Sequence, residues 1–272
     1  MHETIRTVAL ITKTNSVEAQ TAAFKITKLL TDRGVKVFTV LPLMIENSTS
    51  ITSDDLRIAD LDLIFAIGGD GTTLRAFRII QGKAPLFSMN VGGNRGILSE
   101  ASIGSIDDII SSIVEGRYFY DSRLRLQASI NGNIFPPALN DIVLTRMSLT
   151  RTPVFSIKLM DDELKQRMDG IIISTPTGST GHSFSLGGPV LHEELNCLIL
   201  SPIASINRMP QLVIPTSEIE IKSSHDVHLI IDGQEIFKVP TEQTVKISRS
   251  HINARFIRLK KKGMRQLVKL GF

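Results

Sequence analysis

Apolar positions fall into two textures along this chain. From Val8 to Val114, short apolar runs alternate with amphipathic stretches. Val8 to Thr12 reads as a strand, and Ser16 to Arg33 as a helix with Ala22, Ile26, Leu29 and Leu30 at helical spacing, Ser16 as its cap and Gly34 as its stop. Val35 to Val40 is a second strand ending before Pro42. Leu61 to Ile67 is a third, running directly into Gly68-Gly69-Asp70-Gly71 and a helix expected to start near Thr72. A strand near Pro85 to Asn90 and a helix near Ile106 to Val114 follow. The β-α-β order predicts a mainly parallel, layered sheet.

Beyond that the spacing shortens. Leu124 to Ile130, Ile142 to Thr145, Val154 to Met160, Leu198 to Pro202, Glu218 to Lys222, Val227 to Ile231 and Val245 to Ser248 read as strands separated by turns. Asn131-Gly132 is a strong hairpin signal and Asp161-Asp162 a weaker one. With the boundary near Tyr118 to Asp121, the expected fold is an α/β N-terminal domain with a mainly parallel sheet plus a largely β C-terminal domain. The expected segments are 1–120, 121–254 and a basic C-terminal stretch, 255–272. Neither a repeat at solenoid periods nor a low-complexity stretch interrupts this reading.

At 272 residues the chain can form two domains that bury their own cores without disulfides. Its single cysteine, Cys197, lies in an apolar run and reads as a small buried side chain. The apolar run near the start is too short for a signal peptide, and every longer candidate is broken by Asp, Lys, Arg or Gly, so the expectation is a cytoplasmic protein without a membrane span. The formal charge of +4 becomes −3 once Arg255, Arg258, Lys260, Lys261, Lys262, Arg265 and Lys269 are set aside, so the basicity is local. That run reads as a solvated end segment rather than a nucleic-acid patch, because only Phe256 is interleaved for base stacking. It could also draw in phosphorylated ligands or pack back on the N-terminal domain.

Three constellations can carry chemistry. Gly68 to Thr73 lies between an apolar strand and a helix start, where glycines let a ligand approach the backbone and helix N–H groups meet phosphate oxygens. It is neither a P-loop nor a dinucleotide fingerprint, and the plain alternative is a glycine turn with Asp70 as a helix cap. Asp169 to Ser183, continuing through Ser185 to Gly187-Gly188-Pro189, joins a strand to a long run of small hydroxyl residues and glycines, a dense set of donors suited to a phosphate-bearing ligand or else a bland loop. Asn140-Asp141 offers a carboxylate for both hydroxyls of a ribose and an amide beside it, though such pairs are common turn formers. Paired metal ligands are not visible, since His225 and His228 would face opposite sides of a strand. The absence of G-x-S-x-G removes the main hint of a serine hydrolase.

In this order and at these separations the pieces resemble the NAD kinase family. The resemblance rests on Gly68-Gly69-Asp70-Gly71-Thr72, Asn140-Asp141, Asp169-Gly170 with Thr175-Pro176-Thr177-Gly178-Ser179-Thr180, Arg208-Met209-Pro210 and Asp232-Gly233-Gln234. It implies a ligand site in the cleft between the domains, often completed by a neighbouring subunit. It further implies Asp70 as proton acceptor, with Gly71 and Arg75 beside it in the nucleotide site. Asn140 and Asp141 would contact the adenosine of the dinucleotide, Arg151 and Arg167 would be basic contacts, and Asp169, Thr180, Gly181, His182, Ser183, Phe184, Ser185, Ala204 and Gln234 would be further dinucleotide contacts. The chain departs from the family where Gly181-His182 replaces Ala-Tyr, where Asn90 to Ile97 is one residue longer, and where Ile97 takes an aromatic position.

The implied reaction moves the γ-phosphoryl of ATP to the 2′-hydroxyl of the adenosine ribose of NAD, with a divalent cation, magnesium, offsetting phosphate charge. The implied partners are NAD and ATP, in a homo-oligomer, dimer or tetramer, with neither nucleic acid nor membrane. The rival readings are a kinase of a lipid or sugar hydroxyl sharing the G-G-D-G motif, and a non-catalytic dinucleotide-binding regulator.

Overall fold

The computed structural model describes residues 5–80, 84–92, 96–102, 105–261 and 265–271. Residues up to Ser122 and from Ala254 onward form one compact unit, and Arg123–Asn253 form a second.

The first unit begins with strand β1 (Thr7–Thr12) and helix α1 (Val17–Thr31). The Ser16 hydroxyl accepts the Ala19 N–H at 3.2 Å, capping α1, while Ala19, Ala22, Ala23, Ile26 and Leu30 bury its inner face. Strands β2 (Lys36–Val40) and β3 (Thr49–Ile51) and the short helix α2 (Ser53–Ile58) follow. Neither β3 nor α2 is visible in the hydrophobic pattern, since β3 is an exposed edge and Leu56 is the only buried residue of α2. Strand β4 (Leu63–Ile67) is buried throughout, and helix α3 (Asp70–Ile80) starts two residues earlier than expected, at Asp70 itself. Strands β5 (Leu86–Asn90) and β6 (Ala101–Ser102), helix α4 (Ile106–Val114) and strand β7 (Phe119–Arg123) complete the run. β3, β2, β1, β4 and β5 lie in that order, all parallel, and β6 pairs with β5, so the C-terminal ends of β1, β4 and β5 share one edge of the sheet.

The second unit is built from antiparallel strands. They are β8 (Leu126–Ile130), β9 (Asn133–Ile134), β10 (Asp141–Arg146), β11 (Val154–Leu159), β12 (Asp162–Arg167) and β13 (Gly170–Ser174). After a 3₁₀ turn (Thr177–Thr180) and the short helix α5 (His182–Ser185) come β14 (Cys197–Ile203), β15 (Leu212–Pro215), β16 (Ile219–Ser223), β17 (Val227–Ile231), β18 (Glu235–Val239) and β19 (Val245–Arg249). One sheet runs β15-β14-β13-β10-β17-β18, the other β12-β11-β16-β19-β8-β9. Residues at period two from both, such as Ile142 and Leu144, Ile171 and Ile173, Phe155 and Ile157, and Ile219 and Ile221, form one shared core.

Asn131-Gly132 makes the two-residue hairpin turn, with φ of 50° and 83°. The other hairpin turns at Met160-Asp161, one residue before the expected Asp161-Asp162, because Leu159 pairs with Asp162. β12 escaped the pattern because it is an edge strand with both faces largely in solvent. Cys197 is partly exposed at the start of β14 rather than enclosed.

The chain then returns to the first sheet as β20 (Ala254–Arg258), parallel to β5 and next to β7, and ends in helix α6 (Arg265–Leu270). This overturns the reading of the basic run as a solvated end. Phe256, Ile257 and Arg258 are buried because β20 is an interior strand of the sheet, and Arg265, on α6, is 3% exposed, while Arg255, Lys260 and Lys261 stay in solvent.

Candidate active site

In the first unit the glycine-rich segment sits at the C-terminal end of β4, the edge where parallel α/β sheets bind ligands. The chain turns sharply there. A Cβ on Gly68 would lie 2.3 Å from the Thr72 hydroxyl and 2.9 Å from Lys13, whereas one on Gly69 would meet nothing within 4 Å. The segment is thus tight on its inner side and open at Gly69. Gly71 is exposed beside it.

Asp70 is half-buried at the first position of α3, but its carboxylate does not behave as a cap. The first-turn N–H groups of Thr72 and Thr73 go to the Gly69 carbonyl, at 3.0 and 3.3 Å. The carboxylate instead accepts from two consecutive backbone amides of another loop, Ile97 to Oδ2 at 3.0 Å and Leu98 to Oδ1 at 2.9 Å. Two charge-assisted bonds fix its plane and leave each oxygen with further acceptor capacity. Of the segment that departs from the family, Gly93 to Arg95 lie outside the described residues. Its last residue, Ile97, supplies one amide of this pair, contributing its backbone here. Arg75 is half-buried and turned toward the end of β1, donating to the Thr12 carbonyl at 2.7 Å and the Thr14 hydroxyl at 3.3 Å. Desolvation, with Arg78 nearby, pushes its guanidinium below the usual arginine range.

In the second unit Asn140 immediately precedes β10 and Asp141 begins it, pairing in register with Ser174 at the end of β13. Their backbone is held by Asp232, in the turn between β17 and β18 at φ 49°. The buried Asp232 carboxylate accepts the amides of Leu139 at 2.9 Å, Asn140 at 2.7 Å and Asp141 at 3.2 Å. The sequence marks this residue only as the Asp of Asp232-Gly233-Gln234. The signal available was an Asp-Gly turn after an apolar strand. Burial, and then the neighbouring Asp232, push the carboxyl of Asp141 up to about 7. Burial raises Asp232 too, against the pull of the three amides and of Arg125. Burial thus disfavours the charged form of both carboxyls. Gln234 is exposed in the same turn, and the Asn140 Oδ1 is buried without a partner among the described residues.

The hydroxyl-rich run folds against this pair. A Cβ on Gly178 would lie 2.1 Å from the Asn140 carbonyl, so only glycine allows the approach. Most hydroxyls here are spent internally. Thr175 donates to the Leu139 carbonyl at 2.6 Å, Ser179 to the Pro176 carbonyl at 2.7 Å, and Ser183 shares a 2.7 Å bond with Ser201. The reading of this run as a dense donor array is corrected accordingly. Thr180 is partly exposed with only a long 3.5 Å bond to the Thr177 carbonyl, Gly181 lies beside the Asn140 side chain, and His182, Phe184 and Ser185 are exposed.

Asp169 is elsewhere, at the opposite end of β13, roughly 17 Å away along five strand residues. It pairs with Arg146 at 3.0 Å, and its N–H reaches the Ile203 carbonyl at 2.9 Å. That brings it near the exposed Ala204, at φ 48°, and Arg167, whose carbonyl accepts from Ile206 at 3.0 Å. Arg151 is exposed between β10 and β11. The structure therefore gathers Asn140, Asp141, Thr180 to Ser185 and Gln234 in one group and Asp169, Arg167 and Ala204 in another.

Comparison with known proteins points one way. Residues 8–118 match the model of the ATP-NAD kinase N-terminal domain and residues 139–259 that of the ATP-NAD kinase C-terminal domain. An NAD kinase of Thermococcus sibiricus is 36% identical over 212 residues, 75% of each chain. One of Bdellovibrio bacteriovorus is 30% identical over 256 residues, 89% of this chain and 84% of its own. Among solved structures, an Archaeoglobus fulgidus NAD kinase in complex with ATP superposes with a TM-score of 0.79 at 26% identity, covering 97% of this chain and 98% of that one. Yeast NADH kinase complexed with NADH shares the fold, with a TM-score of 0.89 at 20% identity over 99% of this chain and 87% of its own.

Proposed function

The chain belongs to the NAD kinase family and is an NAD-phosphorylating enzyme, and from that premise we propose how its residues divide the work. Asp70 takes the proton of the 2′-hydroxyl of the adenosine ribose as that oxygen bonds to the γ-phosphorus of ATP and the bond to the bridging oxygen breaks, releasing ADP. The observation that carries this is the Asp70 carboxylate, oriented by two backbone amides beside an open glycine. Gly71 and Arg75 serve the triphosphate side.

Among the described residues no group of three or more His, Cys, Asp or Glu could hold a metal ion. Magnesium arrives with the triphosphate, held largely by its phosphate oxygens. Bound there, it would offset charge developing on the phosphoryl oxygens.

Asn140, Asp141, Gln234 and the Thr180 to Ser185 segment hold the adenosine side of NAD. Asp141 accepts from ribose hydroxyls, and the unpartnered Asn140 oxygen is an acceptor for a ligand donor. Ser183 contributes by its backbone, its hydroxyl being engaged with Ser201. Asp169, Arg167 and Ala204 contact the dinucleotide from the second group, and Arg151 from between β10 and β11. Two groups at opposite ends of β13 support the homo-oligomer reading, in which one copy completes the site of another. Light scattering showing only a monomer at micromolar concentration would exclude that. No helix among the described residues is long and apolar enough to cross a membrane, and the location proposed is cytoplasmic.

The test is Asp70→Asn, assayed for NADP formed from ATP and magnesium. Loss of the base lowers turnover by about a hundred- to ten-thousandfold with NAD affinity within a few fold. A folded mutant that keeps its full rate excludes Asp70 as the base. Wild-type protein that binds NAD without forming NADP would instead support the regulator reading.

A further inference from the structure

The loop that orients Asp70 is itself held from behind by the end of the chain. Lys269, on α6, donates from Nζ to the Gly96 carbonyl at 2.8 Å, the Ser99 carbonyl at 3.0 Å and the Ser99 hydroxyl at 3.4 Å. Arg258, on β20, donates to the Leu98 carbonyl at 2.9 Å and pairs with Asp121 at 2.9 Å. Glu100, whose side chain is 3% exposed, ties the same stretch to the C-terminal segment by accepting the amides of Leu259 at 3.0 Å and Lys260 at 3.2 Å and by pairing with Arg265.

These contacts bracket the amides that hold Asp70. The Gly96 carbonyl and the Ile97 N–H belong to one planar peptide and point in opposite directions. Lys269 puts a cation on the oxygen of that peptide while the Asp70 carboxylate sits on its N–H. Both charges favour the same peptide dipole, so the ammonium fixes the peptide plane and strengthens its N–H as a donor. Gly96 packs closely here at φ 53°, where a Cβ would lie 2.5 Å from the Ser99 hydroxyl.

We propose that Lys269, supported by Arg258, is a positioning residue for Asp70, acting through the Gly96 to Leu98 backbone. The C-terminal basic run is thereby part of the catalytic apparatus without touching substrate. The inference rests on the reading of Asp70 as proton acceptor.

Arg258 is buried in its ion pairs, so Lys269, only partly buried, carries the test. Lys269→Met lowers kcat by about ten- to a hundredfold, the scale expected for a misplaced catalytic group, while KM for NAD stays within about twofold. Lys269→Arg, which keeps the cation, restores most of the rate. Should Lys269→Met not fold, Lys269→Gln keeps an N–H donor without the charge and carries the same expectation. The decisive comparison repeats the substitution in the Asp70→Asn background, where the loss of kcat should vanish because the residue it acts through is gone. An undiminished kcat in folded Lys269→Met overturns the proposal, as does an equal loss in both backgrounds. A full rate in Asp70→Asn alone overturns the base assignment and this inference with it, and is distinguishable because it appears without any change at Lys269.

Discussion

Two loops rich in glycine and hydroxyl residues, one in each unit, have similar composition and opposite uses. In the first, Gly68 turns the chain tightly, Gly69 faces open space, and the nearby carboxylate is held by amides borrowed from another loop. In the second, Gly178 presses against the Asn140 carbonyl, and the hydroxyls of Thr175, Ser179 and Ser183 are consumed by protein partners. The first loop is open to a ligand. The second is a scaffold whose product is the placement of Asn140 and Asp141.

The largest effect that would break this contrast is Gly178→Ala. The new methyl group would meet backbone, 2.1 Å from the Asn140 carbonyl, and backbone cannot swing aside as a side-chain end can. Overpacking of this kind costs on the order of 3 kcal/mol, so urea unfolding should show that loss, with weakened NAD binding as Asn140 shifts. Unchanged stability and affinity would mean that the second loop is not the scaffold for Asn140 and Asp141.

The next effect concerns what the scaffold holds. Asp141→Asn should weaken NAD binding by about 1 to 3 kcal/mol, read by titration calorimetry, since ribose hydroxyls lose a charged acceptor. It should also change the response to pH. A folded carboxyl near 7 keeps a proton that the unfolded chain, titrating near 3.9, has already released. The native state then binds more protons between those values, and stability falls as pH rises from about 4 to 7, by up to about 4 kcal/mol from this group. Asp141→Asn should flatten that slope. NAD binding to the wild type near pH 6.5 should release a proton, seen as a calorimetric enthalpy that varies with the buffer. A buffer-independent enthalpy would show that Asp141 is already ionised.

The sequence made some of this legible and hid the rest for physical reasons. Elements that bury one face against a core, such as α1, α4 and β17, announce themselves by period, and β4, buried throughout, by its unbroken apolar run. β3 and β12 are edges with little to bury, and so carry no period. β20 was obscured because Arg255 and Arg258 make an interior strand look like a charged tail, the buried charge of Arg258 being answered by Glu100 and Asp121 from far away in sequence. Asp70 and Asn140-Asp141 were visible as residue types in a known order. What orients them was not, since the Ile97 and Leu98 amides carry no side-chain signature and Asp232 acts across more than ninety residues of separation. The same limit applies to the hydroxyl run, whose composition cannot tell outward donors from internal ones.

The smallest effect on the fold, and the one that most sharpens the contrast, belongs to Gly69→Ala. Nothing lies within 4 Å of the added Cβ, and Gly69 is not among the glycines at positive φ. Replacing a glycine that needs no special backbone angle removes freedom from the unfolded chain, so the thermal midpoint should hold or rise, by the equivalent of about 0.4 to 1 kcal/mol. If the open space is where the triphosphate approaches the backbone, the methyl group stands in its way. KM for ATP should then rise and the rate of NADP formation fall, while NAD affinity stays at its wild-type value. Gly69→Ala would thus impair the enzyme without harming the fold, whereas Gly178→Ala would harm both. A Gly69→Ala enzyme with unaltered ATP kinetics would show that phosphate does not approach this face, and the functional half of the contrast between the two loops would fall.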